Sequence, residues 1–318
     1  MYEIEFSKEA AKHVLLLRKS SPQLFKKLER LLDELKEHPY TLVSSQVQWV
    51  VAAVPGKEWA KQVFPEKSEA QAMESLWEAI FCAVRIQDGD AVQAWREHDA
   101  LLSEKCEILN KYQFTELHYE NEAGTDFRVG LVKNHIWEGG SEESGSGVRF
   151  IANMPTEEVF TMPDYRKAEG KVVSSRPLSY RGNLIKDFSL TFHEGKVVDF
   201  DAREGYDALK QLLDTDEGSK SLGEVALVPY ASPISEMGIL FYNTLFDENA
   251  SCHLALGECY PTTVQDGEKM NEEELHQIGG NHSINHVDFM IGTKDMKITG
   301  ITEDGKEIPV FIDGSWAL

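Results

Sequence analysis

His286-Val287-Asp288-Phe289-Met290-Ile291-Gly292 reads as a β-strand. Side chains two apart on a strand share a face. His286 and Asp288 therefore project together, with Val287 and Phe289 on the other side. An imidazole and a carboxylate on one face make half of a metal site. Further strand patterns lie at 149–152, 158–162, 170–175, 187–193, 196–200, 224–228 and 296–301, and residues 125–132 alternate as well. Helical patterns lie at 203–213, 236–256 and 271–278. Strands without regular helical crossovers indicate an α+β domain, rich in antiparallel strands, over residues 114–318. The Gly/Ser-rich stretch 139–147 reads as a flexible loop.

Upstream the texture differs. Gln48-Trp49-Val50-Val51-Ala52-Ala53-Val54 is an apolar run stopped by Pro55-Gly56. Such a run predicts a strand buried on both faces, as in parallel sheets. A short helix follows at 58–64, then two longer ones at 67–87 and 89–110. Residues 43–113 thus read as a truncated α/β segment. Residues 1–42 read as a short β-α-α unit: alternation in Tyr2–Phe6, a Ser7 cap, a break at Ser20-Ser21-Pro22, and apolar Leu24, Leu28, Leu31, Leu32 and Leu35 before Pro39.

Composition narrows the function. The 318 residues carry 32 Lys/Arg against 54 Asp/Glu, a net charge of −22. That opposes general binding to nucleic acid or anionic lipid and suits a site that holds cations. Charge is unevenly placed: residues 1–40 have eight basic and seven acidic groups, so the whole acidic excess lies beyond them. No signal-peptide stretch opens the chain and no apolar run is long enough to span a bilayer, so a cytoplasmic protein is expected. Four cysteines without a CxxC pair read as reduced thiols. Cys252 and Cys259 flank His253, but at a spacing foreign to structural zinc sites.

Three other stretches carry chemistry. Glu157 and Glu158 directly precede an apolar strand, which is awkward unless one carboxylate is used; a solvated strand entry is the plainer reading. Glu224 leads the apolar strand Leu222–Val228, where an exposed strand end would also explain it. Asp247-Glu248-Asn249-Ala250-Ser251-Cys252-His253-Leu254-Ala255-Leu256-Gly257 reads as a helix ending at Gly257, with His253 five residues after Glu248 and Tyr260 just beyond. With His286 and Asp288 these supply a mixed oxygen and nitrogen set of the kind a pair of divalent ions needs. No GxSxG elbow, HExxH or phosphate loop stands out.

Longer phrases carry a resemblance. WVVAAVPGKEWAKQVFP, TDFRVGL, HIWEGG, ANMPTEEVFTMP, FHEGKVVDF, LGEVALVP, SPISEMGILFYNTLFDENASCHLALGECYP and NHVDFMIG resemble the aminopeptidase T/AmpS/PepS family of dinuclear metallo-aminopeptidases, from about Val47 to Leu318. The resemblance implies two divalent metal ions (zinc, cobalt, magnesium or manganese) held by Glu158, Glu224, Glu248, His253, His286 and Asp288. Glu224 would bridge them, and Tyr260 would be catalytic. It further implies peptide substrates, a homodimer, and a longer N-terminal α/β domain than the 43–113 segment provides. Residues 1–40, with YEIEFSKEAAK and EHPY, resemble the opening of RelE/ParE-type toxins. The strands that carry those toxins' active residues find no counterpart after Tyr40, so a packing or fusion segment is expected. An inactive metal-binding remnant is the alternative function.

Overall fold

The computed structural model describes Lys26, residues 48–86 and residues 89–318. Apart from Lys26, the β-α-α reading of residues 1–42 and its toxin-like resemblance lie outside these residues. The helices are α1 (Lys57–Val63), α2 (Glu69–Ala83), α3 (Ala91–Tyr112), α4 (Tyr206–Leu213), α5 (Pro233–Met237), α6 (Thr244–Asp247) and α7 (Glu272–Ile278). The strands are β1 (Val51–Ala52), β2 (Glu116–Glu120), β3 (Asp126–Leu131), β4 (Ser141–Glu143), β5 (Arg149–Ile151), β6 (Asn153–Met154), β7 (Val159–Thr161), β8 (Pro163–Val173), β9 (Leu178–Tyr180), β10 (Asn183–His193), β11 (Lys196–Glu204), β12 (Leu222–Leu227), β13 (His253–Gly257), β14 (His286–Met290), β15 (Lys297–Ile301), β16 (Glu307–Ile312) and β17 (Ser315–Trp316).

Two units divide the chain: Met1–Val50 with Ser141–Ala152, and Val51–Gly140 with Asn153–Leu318. In the first, β4 and β5 form an antiparallel hairpin. Trp49 packs beside Phe150, and Gln48 Nε2 donates to Ser144 Oγ at 2.7 Å. The stretch expected to be a flexible loop thus supplies one strand of a hairpin and its turn, because Ser144 Oγ also accepts from Val148 N–H and ties the turn together.

The second unit is α+β, as expected, and its main sheets are antiparallel. One sheet runs β11-β10-β8-β3-β2-β15-β16-β17, with β9 paired to β10. The other runs β14-β13-β12-β7. They share one core, in which Phe127, Phe188, Leu190 and Phe192 of the large sheet meet Val225, Leu254, Leu256 and Phe289 of the small one. Helix starts follow local chemistry. Ser68 and Gln71 form a reciprocal capping box on α2, and Asp90 Oδ1 accepts from Val92 and Gln93 N–H on α3. A second core joins Leu76 and Ile80 of α2 to Ile234, Phe241 and Phe246.

Two sequence expectations are corrected. β1 does pair in parallel, with β6, but it is not buried on both faces: Val51 is 45% exposed, and Val54, of the same apolar run but beyond the end of β1, is 75% exposed. Two residues of pairing along one edge cover neither face. Residues 236–256 do not form one helix. Gly238, at φ 64°, ends α5, the short α6 leads into a single 3-10 turn at Glu248–Ala250, and His253–Gly257 is a strand. A strand buried on both faces lacks polar alternation, so its apolar run is indistinguishable from a buried helix by pattern alone.

Candidate metal centre

The small sheet has one apolar and one chemical face. Ala226 pairs with both Phe160 and His253, and Ala255 pairs with Glu224 and Asp288. His253 also faces Met290, and Gly257 faces His286. One face therefore presents Glu224, His253, His286 and Asp288, with Glu158 at the entry to β7. The opposite residues, Val159, Val225, Leu254, Leu256 and Phe289, belong to the core. Along β13 the chemical face is His253, Ala255 and Gly257, so small groups leave room beside the candidate ligands. Gly257, at φ 111°, also permits close approach: a Cβ there would stand 2.0 Å from the Asn285 carbonyl oxygen, next to His286.

Glu224 stands at the centre, buried in mid-strand rather than at an exposed end. Its Oε1 lies 3.5 Å from His253 Nε2, and its Oε2 lies 3.6 Å from His286 Nε2. Glu158 Oε2 is 2.9 Å from His253 Nε2, and Asp288 Oδ1 is 3.4 Å from His286 Nε2. Two groups result, Glu158–Glu224–His253 and Glu224–His286–Asp288, each with its ligand atoms within 4.8 Å of one another. Glu248 belongs to neither group; it lies in the 3-10 turn and lines the same cavity as Asp288.

Backbone carbonyls set the tautomer of both histidines. His253 Nδ1 lies 3.1 Å from the Ser251 carbonyl oxygen, and His286 Nδ1 lies 2.8 Å from that of Glu258. With Nδ1 donating, each Nε2 faces the site and offers a lone pair there once its own proton is displaced, as in metal-binding histidines. His253 Nε2 then meets Glu158 Oε2, a buried atom with no hydrogen-bond partner. A cation must lie between them: a proton, which Glu158 and Glu224 hold on the imidazole by raising His253 well above its usual range against the effect of burial, or a metal ion in the proton's place. The electrostatics agree. Burial, helped by the charges of Asp288 and Glu158, pushes the Glu248 carboxyl well above its usual range. Burial likewise raises Glu224 against the opposing pull of His253 and His286. Burial would lower His286, but Asp288 and Glu224 outweigh it and lift the imidazole to about 9. A cluster of carboxylates that draws protons this strongly draws metal cations for the same reason.

Tyr260 sits at the rim, 45% exposed. Its ring centroid is 4.7 Å from that of His286 and 5.9 Å from that of Phe160. Burial of the phenol, with the carboxylates of Glu224 and Asp288 nearby, raises its pKa and keeps it protonated. Of the paired glutamates, Glu158 enters the site. Glu157 turns away and meets Arg85, whose Nη2 donates to Glu157 Oε2 at 2.8 Å. Arg85 and the carbonyls of Ser251 and Glu258 carried no motif signal, because Arg85 meets Glu157 from 72 residues away and the carbonyls are backbone atoms that any residue supplies. Cys252 exchanges hydrogen bonds with Val228, and Cys259 lies in a third small core with Val132 and Met162; neither faces the ligand groups.

This sheet and site fall within a known family. Residues 8–316 match the thermophilic metalloprotease (M29) family, and the chain belongs to it. It is 53% identical over 274 residues to aminopeptidase AmpS of Bacillus subtilis (strain 168), covering 86% of this chain and 67% of that protein. It is 46% identical over 326 residues to aminopeptidase PepS of Streptococcus thermophilus, covering 99% and 79%. The solved structure of wild-type AmpT from Thermus thermophilus matches with a TM-score of 0.82 at 40% identity, covering 89% of this chain and 68% of that one. The chain thus spans about two thirds of the length of AmpS and of the AmpT structure. By family it is a metallopeptidase.

Proposed function

We propose that the chain is a metal-dependent aminopeptidase that removes N-terminal residues from peptides at a site for two divalent ions. The observation that carries this reading is the division of Glu224, with one carboxylate oxygen toward Glu158 and His253 and the other toward His286 and Asp288. Glu158 and His253 would hold one ion, His286 and Asp288 the other, and Glu224 would bridge, with Glu248 adding a further carboxylate beside Asp288. With their protons displaced by metal, the four carboxylates and two neutral imidazoles would carry four negative charges, which two divalent cations would neutralise. Oxygen and nitrogen donors suit zinc, cobalt, magnesium or manganese.

Bound ions of this kind supply Lewis acidity and bring a water to ionise near neutral pH. The protein's part is to orient and to move protons. The carboxylates around the site can take a proton from the attacking water and return it to the leaving amine. Tyr260, protonated and at the rim, can donate a hydrogen bond to the developing oxyanion. Among the described residues no helix is long and apolar enough to cross a membrane. A cytoplasmic homodimer acting on peptides, with no nucleic-acid partner, completes the reading.

The test is to purify the chain, measure bound metal, and assay hydrolysis of amino-acid p-nitroanilides with and without chelator. Metal-dependent release of p-nitroaniline is expected. Hydrolysis that survives complete metal removal would overturn the reading. Bound metal without hydrolysis would favour an inactive metal-binding remnant. Light scattering on the same sample reads the oligomeric state.

A further inference from the structure

Asn249 is fully buried, one residue past Glu248, and none of the proposed chemistry uses it. Its side chain joins two distant stretches of chain. Oδ1 accepts from the backbone N–H of Glu157 at 2.6 Å. Nδ2 donates to the Leu245 carbonyl at 3.0 Å and reaches Glu248 Oε1 at 3.4 Å. The two backbone partners fix which end of the amide is oxygen, since an N–H demands the acceptor and a carbonyl the donor.

The chain entering β7 is held from the other side as well. His98 Nε2 lies 2.7 Å from the Thr156 carbonyl oxygen, and the Glu157 carboxylate is gripped by the Arg85 guanidinium. Successive side chains on an extended chain point to opposite sides. Fixing Glu157, with its side chain toward Arg85, therefore turns Glu158 toward His253. The same amide caps the Leu245 carbonyl, which the end of α6 would otherwise leave without a partner, and it touches the Glu248 carboxylate.

We propose that Asn249 is a positioning residue for the metal centre: it locks the Glu158-bearing and Glu248-bearing segments at one spacing, so that both carboxylates face the ions together. This rests on the two-ion reading above. Hydrogen-bond partners behind metal ligands typically hold affinity by about 10–100-fold. Asn249 differs from a partner of one ligand in serving two segments that lie 92 residues apart.

The test uses the full chain, stripped of metal and titrated with cobalt(II) against a competing chelator, with the visible cobalt spectrum recorded. Asn249→Asp keeps the acceptor for the Glu157 N–H but sets a negative charge against Glu248 and the Leu245 carbonyl. Asn249→Ala removes every contact. Leu190→Ala, in the core of the large sheet, controls for lost stability alone. Both Asn249 variants, held below their melting temperatures, should bind cobalt at least about 10-fold more weakly and show a shifted spectrum. Leu190→Ala should melt earlier yet bind as the wild type does. Wild-type affinity and spectrum in the Asn249 variants would overturn the proposal. If neither folds, Asn249→Ser takes their place under the same criterion. A wild-type chain that binds no cobalt would overturn the two-ion reading itself, an outcome distinct from unaltered binding in the variants.

Discussion

Ala255 lies directly across from Asp288, paired with it between β13 and β14 on the face that carries the candidate ligands. Glu224 flanks the same alanine from β12. The gap between the two carboxylates is floored by a single methyl group. Ala255→Leu should fill it. Overpacking of this kind costs about 1–3 kcal/mol of stability, and the branched side chain would occupy the space between the two ligand groups. Loss of bound metal and of peptidase activity in a chain that still folds is expected, checked by metal analysis alongside circular dichroism. Retention of both ions would show that the space lies elsewhere.

Glu224→Gln should be the most damaging isosteric change at the centre. It removes a charge that both ligand groups share, so metal content should fall below two ions per chain and activity should drop to background. Glu158→Gln, which touches one group, should leave the His286–Asp288 side occupied. Equal metal loss in the two variants would argue against the central place given to Glu224.

Tyr260→Phe should keep both ions, since the phenol belongs to neither ligand group. If the hydroxyl serves the oxyanion, kcat should fall by roughly 10²–10³-fold with KM little changed. A kcat within a small factor of wild type would leave Tyr260 as packing against His286.

Asp216 predicts an acid-sensitive element of stability behind β14. Partial burial would raise its carboxyl, but the backbone N–H of Ile284 and the hydroxyls of Ser219 and Ser283 outweigh that and bring it to about 2, below its ordinary 3.8. A depressed carboxyl stabilises the fold in full above its unfolded value and loses that contribution as pH falls through its folded one. Wild type should therefore lose stability more steeply than Asp216→Asn between about pH 4 and pH 2. Chemical unfolding of the two proteins across that range would show it, and parallel curves would remove Asp216 from the account.

How much of this was legible in sequence differs by residue. His286 and Asp288 were readable because a half-polar strand alternates visibly, and the structure keeps them on one face. Glu224 was visible as an acid in an apolar run, but nothing local distinguished a frayed end from the centre of a sheet. His253 was found with the wrong secondary structure: with Leu254 and Leu256 in the core and Ala255 and Gly257 opposite, no polar face marked the strand. The supporting groups were invisible for a different reason. Asn249 meets Glu157 across 92 residues, Arg85 meets the same glutamate across 72, and Ser283 meets Asp216 across 67. No periodicity encodes such pairings, because they arise only once the sheet is assembled.

The alternation of β14 has a consequence for how the chain finds its native state. Side chains repeat every two residues along a strand, so a slip of one position against β13 exchanges the faces. His286 and Asp288 would then be driven into hydrocarbon among Leu254 and Leu256, while Val287 and Phe289 would stand where the ligands belong. The misaligned hairpin would forfeit core packing and the gathering of the candidate ligands at once, and neither loss could compensate the other. The placement of the candidate ligands and hydrophobic burial thereby proofread one another: the register that buries Val287 and Phe289 is the one that gathers His286 and Asp288 beside Glu224.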